Sequence, residues 1–384
     1  MVVPSIMINP HNNSSPEGLT QYIESCLASE LDTNGESTYT NAFKASLHTN
    51  YLDITCSRPG TFVLDSLLYK KIEKILTADL FPYITILPSS GMHIVDTNSG
   101  DISTARALRF YFKKGVAKRL HFESLSDCKI INKDEKQYIP LMENYFIDVT
   151  EGLPHIALSG MTGSGKTICA LVLLQFISQI GDITIIDPKG DPYLMHWANS
   201  LKIPYFTPGD KQSDTAFMDL IQRELKKSLD FIQSRQRILQ ENPSYKFNPY
   251  VLYIDEAMAL TVSLPKKIRD TYLGLIDKIC LMGRQTNVCL FIASQTFEAN
   301  TVISSSARDQ MGLKILLTPN VNRENCRYLF KELANPESIV IPDDGFFHGK
   351  GIIQNTKDGL TLPFLVPKIE RLLNEGGIED EVRR

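Results

Sequence analysis

The sequence lacks any C-x-x-C pair: its seven cysteines, at 26, 56, 128, 169, 280, 289 and 326, are scattered. That spacing excludes the common metal-ligand sets and a disulfide framework. The apolar neighbours of Cys169 and Cys289 read as the core of a reduced, cytoplasmic protein. No run reaches the eighteen apolar residues a membrane-crossing helix needs, and the longest, over 168–177, is broken by Gln175. The opening "MVVPSIMINPHNNSS" has no basic segment followed by an apolar core, so it does not read as a signal peptide. Positive charge is also missing overall, with a formal net charge of −4, so no global field announces nucleic acid. Any such contact must be local. Two basic stretches qualify, "FKKGVAKRLH" (Lys113, Lys114, Lys118, Arg119) and "RELKKSLDFIQSRQR" (223–237), and each also reads as an ordinary solvated face. There is no internal repeat and no low-complexity tract.

What is present begins with "HIALSGMTGSGKTICALVLLQF" (155–176), a greasy run, a turn and a second greasy run. The pattern predicts a short buried strand over 156–159, a tight turn over 160–167 and a helix over 168–177 that is apolar nearly all round. In that strand, loop, helix setting, G-x-x-x-x-G-K-T is a phosphate-binding loop. Its residues are Gly160, Met161, Thr162, Gly163, Ser164, Gly165, Lys166 and Thr167. The glycines let backbone N–H groups converge on one point, and the helix N-terminus adds partial positive charge. Lys166 would reach the β- and γ-phosphates, and the Thr167 hydroxyl would bind Mg²⁺.

The 384 residues, 43% of them hydrophobic, suffice for two domains, or for one large domain with an appendage. Residues 1–60 are polar, with helix candidates over 19–31 and 41–52. A small α+β domain is expected over 61–150: a helical repeat of Leu64, Leu67, Leu68, Ile72, Ile75 and Leu76, then short strands at "YITILP", "MHIVD", "LRFYF" and "YFIDV". From 151 to 368 strand-like runs alternate with helices: "DITIID", a long amphipathic helix over 214–240, "YVLYIDE", a helix over 264–283, "VCLFIAS" and "LKILL". Continuous apolar strands alternating with helices mark an α/β fold, a mostly parallel sheet with helices on both faces. Residues 369–384 are the expected C-terminal tail, whose end "EGGIEDEVRR" reads as frayed.

A phosphate loop needs a carboxylate for its metal, and two candidates compete. "IIDPKG" holds Asp187-Pro-Lys-Gly190, the D-x-x-G of a GTPase; "VLYIDE" ends in Asp255-Glu256. GTP specificity also requires N-K-x-D after the loop, and the near match "INKDE" lies before it with the wrong spacing. The strand-end pair fits better, with Asp255 on the metal's water shell and Glu256 orienting the attacking water, although two solvated acids ending a strand would look the same. Gln295, after "VCLFIAS", is placed to sense the γ-phosphate or simply to cap a strand. The "LSGMTG" at Leu158 belongs to the phosphate loop, so no separate ABC signature exists.

In order and spacing, "PHIALSGMTGSGKT", "ITIIDPKGDP", "VLYIDEAMAL" and "GRQTNVCLFIASQ" resemble the FtsK/HerA superfamily of DNA-pumping ATPases, and more narrowly the FtsK-like coupling proteins of Gram-positive mobile elements. The likeness spans about 150–365. It implies a RecA-like P-loop NTPase fold, ATP and Mg²⁺ as cofactors, DNA as partner and a homo-oligomer, expected to be a hexameric ring. It further implies Lys166 and Glu256 as catalytic groups, Gln295 as sensor, and an arginine finger in trans, with Arg308 the first choice and Arg284 the second. Two departures bear on the role. Members serving division or conjugation usually carry N-terminal membrane helices, and no such run is present; nor is there room after the motor for a DNA-reading winged helix. The expectation is a trimmed motor of a plasmid or integrative element, with a nucleotide-dependent factor docking a relaxase or replication complex, or a secretion ATPase, as alternatives.

Overall fold

The computed structural model describes residues 16–31, 42–56, 65–89, 91–209, 213–262, 264–357 and 359–372. It divides into two compact units, Met1–Val116 with Glu332–Val340, and Ala117–Lys331 with Ile341–Arg384. The division therefore falls at 116, not at 60 and 150.

In the first unit, α1 (Pro16–Glu30) is followed by β1 (Phe43–Leu47), β2 (Tyr51–Cys56), α2 (Ser66–Asp79), β3 (Ile84–Leu87), β4 (Ile94–Asp96) and β5 (Arg106–Lys114). The antiparallel sheet runs β1-β2-β5-β3, with β4 also paired to β5. Alternate residues of β5, Leu108, Phe110 and Phe112, join Ile23 and Leu27 of α1 and Ile72 and Leu76 of α2 in one core. This is why residues before 60 belong to the unit: α1 has no other place to bury its apolar stripe. The helix expected over 41–52 is instead the β1–β2 hairpin. Phe43, Leu52 and Ile54 are buried in alternation, and the His48 N–H donates to the Tyr51 carbonyl at 2.9 Å to close the turn. A period of two overrode a helical reading of a short mixed segment.

The second unit contains β6 (His121–Ser124), β7 (Ile131–Lys133), β8 (Lys136–Met142), β9 (Tyr145–Asp148), β10 (His155–Gly160), α3 (Lys166–Ile177), β11 (Asp182–Ile186), α4 (Pro192–Ser200), β12 (Tyr205–Phe206), α5 (Asp214–Glu241), β13 (Tyr250–Ile254), α6 (Lys266–Met282), β14 (Val288–Ser294), α7 (Ser305–Asp309), β15 (Met311–Leu317), α8 (Arg323–Cys326), β16 (Lys350–Asn355), β17 (Thr361–Leu365) and β18 (Lys368–Arg371). Its main sheet has the order β12-β11-β13-β14-β10-β15-β16-β17. The first six strands are parallel and the last two antiparallel. Every residue of β10, β13 and β14 is buried, so both faces of the sheet are covered, as the continuous apolar runs predict. Residues 121–148 belong here for a specific reason: β6 pairs in parallel with β18, and β8 packs beside β17.

The edges of this sheet are guarded. At one end β12 is only two residues long; at the other, β17 is wholly buried and carries Pro363. Among the described residues no helix is long and apolar enough to cross a membrane. The first residues of the expected tail, 369–371, instead belong to β18, which pairs with β6, and the tail beyond residue 372 lies outside the described residues.

Candidate nucleotide site

The phosphate loop leaves the end of β10 and enters α3. Gly165 stands at the helix N-cap with φ +96°, a left-handed backbone that a side chain would strain, and offers no side-chain cap. The first N–H groups of α3 are therefore left to an external acceptor, and the helix dipole favours an anion. Gly160 is needed for a different reason: a Cβ there would sit 2.5 Å from Ser164 Oγ. That hydroxyl is buried, and it has no hydrogen-bond partner in the structure. Eight of the twelve residues of α3 are buried, which anchors the loop against the sheet.

β13 delivers the acids. The Asp255 N–H donates to the Ile186 carbonyl at 2.8 Å, continuing the ladder, and the next residue leaves it: Glu256 adopts φ +41°, ψ +55°. A left-handed conformation is costly for a glutamate, and it swings this side chain out of strand alternation. Glu256 Oε2 lies 3.5 Å from Lys166 Nζ and 3.0 Å from Lys189 Nζ, while Oε1 accepts from the Gln295 backbone N–H at 3.2 Å. Lys166 also donates to the Gly160 carbonyl at 2.6 Å. Strand order explains the meeting, because β14 lies between β10 and β13 and its end carries Gln295.

The two acids are tuned in opposite directions. Burial pushes the Asp255 carboxyl up to about 6; the Tyr253 hydroxyl, donating at 2.6 Å, opposes this, and the charges of Asp187, Glu256 and Asp191 reinforce it. Burial also pushes Glu256 up, but Lys166 and Lys189 outweigh it and hold that carboxyl below its usual range. Asp255 is thus an acid that a nearby cation would relieve. Among the described residues no three acids, histidines or cysteines form a self-sufficient metal site.

The rival carboxylate, Asp187, is fully committed elsewhere. It accepts from the N–H groups of Lys189, Gly190 and Asp191 at 2.8, 3.0 and 2.6 Å and from the Tyr205 hydroxyl at 2.6 Å. It shapes its own loop, which disposes of the GTPase reading in physical terms. Lys189, which that loop presents to Glu256, was not singled out by sequence reasoning, although "DPKG" was in view.

The remaining sequence candidates are spread more widely. The Gln295 side chain is exposed, and its carbonyl accepts from Ser159 Oγ at 3.1 Å. Arg308, on α7, is half-buried and donates to the Phe297 carbonyl of its own chain at 3.2 Å, whereas Arg284 is exposed just before β14 begins, at the far end of that strand from Gln295. The basic stretches divide similarly. Arg235 is half-buried and donates to the carbonyls of Asn248, Thr286 and Asn287 at 3.0, 2.7 and 3.2 Å, so it is a structural clamp; Arg223, Lys226, Lys227 and Arg237 are solvated.

Arg119, from the other stretch, is buried and props the phosphate loop. It pairs with Asp344 at 2.6 Å, donates to the His348 carbonyl at 3.2 Å and hydrogen-bonds the Val366 carbonyl. Between these contacts the Gly349 N–H donates to the Ser164 carbonyl at 2.9 Å, inside the loop itself. An Arg119→Met change leaves Asp344 with Lys350, 3.4 Å away. The expected cost is therefore about 3 kcal/mol, the low end for breaking a buried pair. Thermal melts should show a fall of roughly 6–12 °C, with Arg119→Lys failing to restore it because one ammonium cannot span three fixed acceptors.

Six parallel strands, a phosphate loop between β10 and α3, and a strand-end carboxylate pair define a P-loop domain. No family model matches the chain. It is 25% identical over 193 residues, 48% of its length, to the FtsK domain-containing protein YdcQ of Bacillus subtilis (strain 168), of which the match covers 38%. Among solved structures it is similar to the pCW3 conjugation coupling protein TcpA, monomer form with ATPgS (16% identity, TM-score 0.48, 91% of this chain and 94% of that one). It is also similar to ATPases 2 and 3 of EssC from Geobacillus thermodenitrificans (14% identity, TM-score 0.43, 69% and 48% covered). Over about half its length the chain is thus similar to an FtsK domain-containing protein, and it spans well under half of that relative.

Proposed function

We propose that this chain binds ATP with Mg²⁺, hydrolyses it and couples hydrolysis to movement of DNA, as a homo-oligomer serving transfer or replication of a mobile element. The observation that carries the reading is Glu256, held between Lys166 and the Gln295 N–H at the mouth of the phosphate loop. The loop N–H groups and Lys166 hold the triphosphate. Thr167 and Asp255 would hold Mg²⁺, which supplies charge neutralisation on the phosphates when bound. Glu256 is the base: its lowered pKa keeps it ionised at neutral pH, ready to take a proton from a water aimed at the γ-phosphate. A residue such as Arg308 or Arg284, offered by a neighbouring subunit, would add charge from outside. The DNA contact in this reading is mainly to phosphates and so weakens with salt.

The test is the ATPase rate with linear duplex, single strand or no nucleic acid. Stimulation of severalfold, declining as salt rises, is the expected result. Turnover indifferent to DNA but altered by a relaxase would favour the docking factor, and stimulation only by a secreted protein would favour a secretion ATPase. No turnover under any condition would overturn the enzymatic reading itself.

A further inference from the structure

Building on the nucleotide site just proposed, we infer that Lys189 is a second phosphate-contacting lysine: it binds the terminal phosphate of a nucleoside triphosphate, and so lets the site distinguish triphosphate from diphosphate. Three observations carry this. First, the ammonium groups of Lys166 and Lys189 converge on the same oxygen, Glu256 Oε2, at 3.5 and 3.0 Å. They come from two loops, after β10 and after β11, so the site is flanked by cations on two sides. Second, the Lys189 backbone is preset. Asp187, fully buried, accepts from the N–H groups of Lys189, Gly190 and Asp191 and from the Tyr205 hydroxyl, and Gly190 takes φ +68°. A loop tied this closely fixes the backbone from which the lysine's stem starts. Third, the Lys189 side chain is half-exposed whereas Glu256 is 6% exposed, so Lys189 can shift along its stem while the acid stays in place.

The distances fit. A base lies about 2.6–3.2 Å from the water it activates, and that water lies roughly 3–3.5 Å from the atom it attacks. The γ-phosphorus is therefore some 6 Å from Glu256, and its oxygens are closer. A lysine already in contact with that acid reaches those oxygens with a small rotation, whereas the β-phosphate sits deeper, toward Lys166 and the first turn of α3. Lys166 reaches the β- and γ-phosphates, and Lys189 adds a second cation at the γ-phosphate alone. If Lys189 acted only by neutralising Glu256, its loss would cost the triphosphate nothing once that charge is gone. A direct phosphate contact instead predicts that, in a Glu256→Gln background, Lys189→Gln still weakens a triphosphate analogue more than ADP, and equal effects on the two there would overturn the inference.

The experiment measures binding of MgADP and of a β,γ-imido triphosphate analogue to the full chain and to Lys189→Gln, Lys189→Met and Lys189→Arg. In Lys189→Gln and Lys189→Met, ADP affinity should stay within about twofold of the unaltered chain, while the analogue weakens about tenfold or more, the worth of one hydrogen bond to a charged group. Lys189→Arg, which keeps charge and reach, should recover most of the triphosphate preference. Retained ADP binding also shows that each variant is folded. Equal weakening of both nucleotides, or an unchanged preference for the analogue, would overturn the inference. If the unaltered chain binds neither nucleotide, it is the proposed function that fails.

Discussion

Glu256→Gln is expected to bind ATP as well as the unaltered chain does and to turn it over slower by about 10²–10⁴-fold, the usual worth of a positioned general base. The amide keeps the shape of the side chain, and its oxygen still accepts from the Gln295 N–H, which reaches Glu256 at 3.2 Å. What disappears is the negative charge and the ability to take a proton. Because that interaction matters only as the water attacks, kcat falls while nucleotide affinity is spared. Lys166→Ala supplies the contrast, since its ammonium lies within the phosphate loop, 2.6 Å from the Gly160 carbonyl, and its loss should weaken binding itself. Single-turnover rates and titrations on the same preparations separate the two. Near-normal turnover in Glu256→Gln would remove this acid from the chemistry.

Asp255→Asn should inactivate the protein and yet stabilise it. Burial and the neighbouring acids raise the Asp255 carboxyl from 3.8 to about 6. An acid of this kind holds its proton more tightly folded than unfolded. The destabilisation it causes is absent below 3.8, grows between 3.8 and about 6, and is fully present above that. At pH 8, in buffer without magnesium or nucleotide, its removal is worth up to about 3 kcal/mol, or several degrees of melting temperature. Asparagine can still accept from the Tyr253 hydroxyl. The gain should vanish near pH 4. A melting difference that is the same at pH 8 and pH 4 would show that the charge of Asp255 carries no such cost.

The parts of the site legible in the sequence were those written in contiguous residues. The phosphate loop is eight consecutive residues between two apolar runs, and the Asp255-Glu256 pair ends a third. Hydrophobic period gave most strands of the main sheet for the same reason. Other features depend on partners far along the chain. Arg119 looked like one more surface cation, and only the return of residues 344–366 makes it a buried clamp. Residues 121–148 looked like the end of a preceding domain, and only β18 claims β6 for the P-loop unit. Lys189 stood in plain view in "DPKG", but its meeting with Glu256 depends on β11 lying next to β13. The β1–β2 hairpin was missed because its apolar positions fit either period over so short a span.

The two short or shielded margins of the main sheet have a consequence for whatever this unit meets. Neither β12 nor β17 leaves a long row of free backbone donors and acceptors. The main sheet thus offers a visitor no long margin for main-chain pairing, a mode indifferent to most side chains. Around the main sheet, recognition therefore falls to helix flanks and loop tips, where each substitution changes the message.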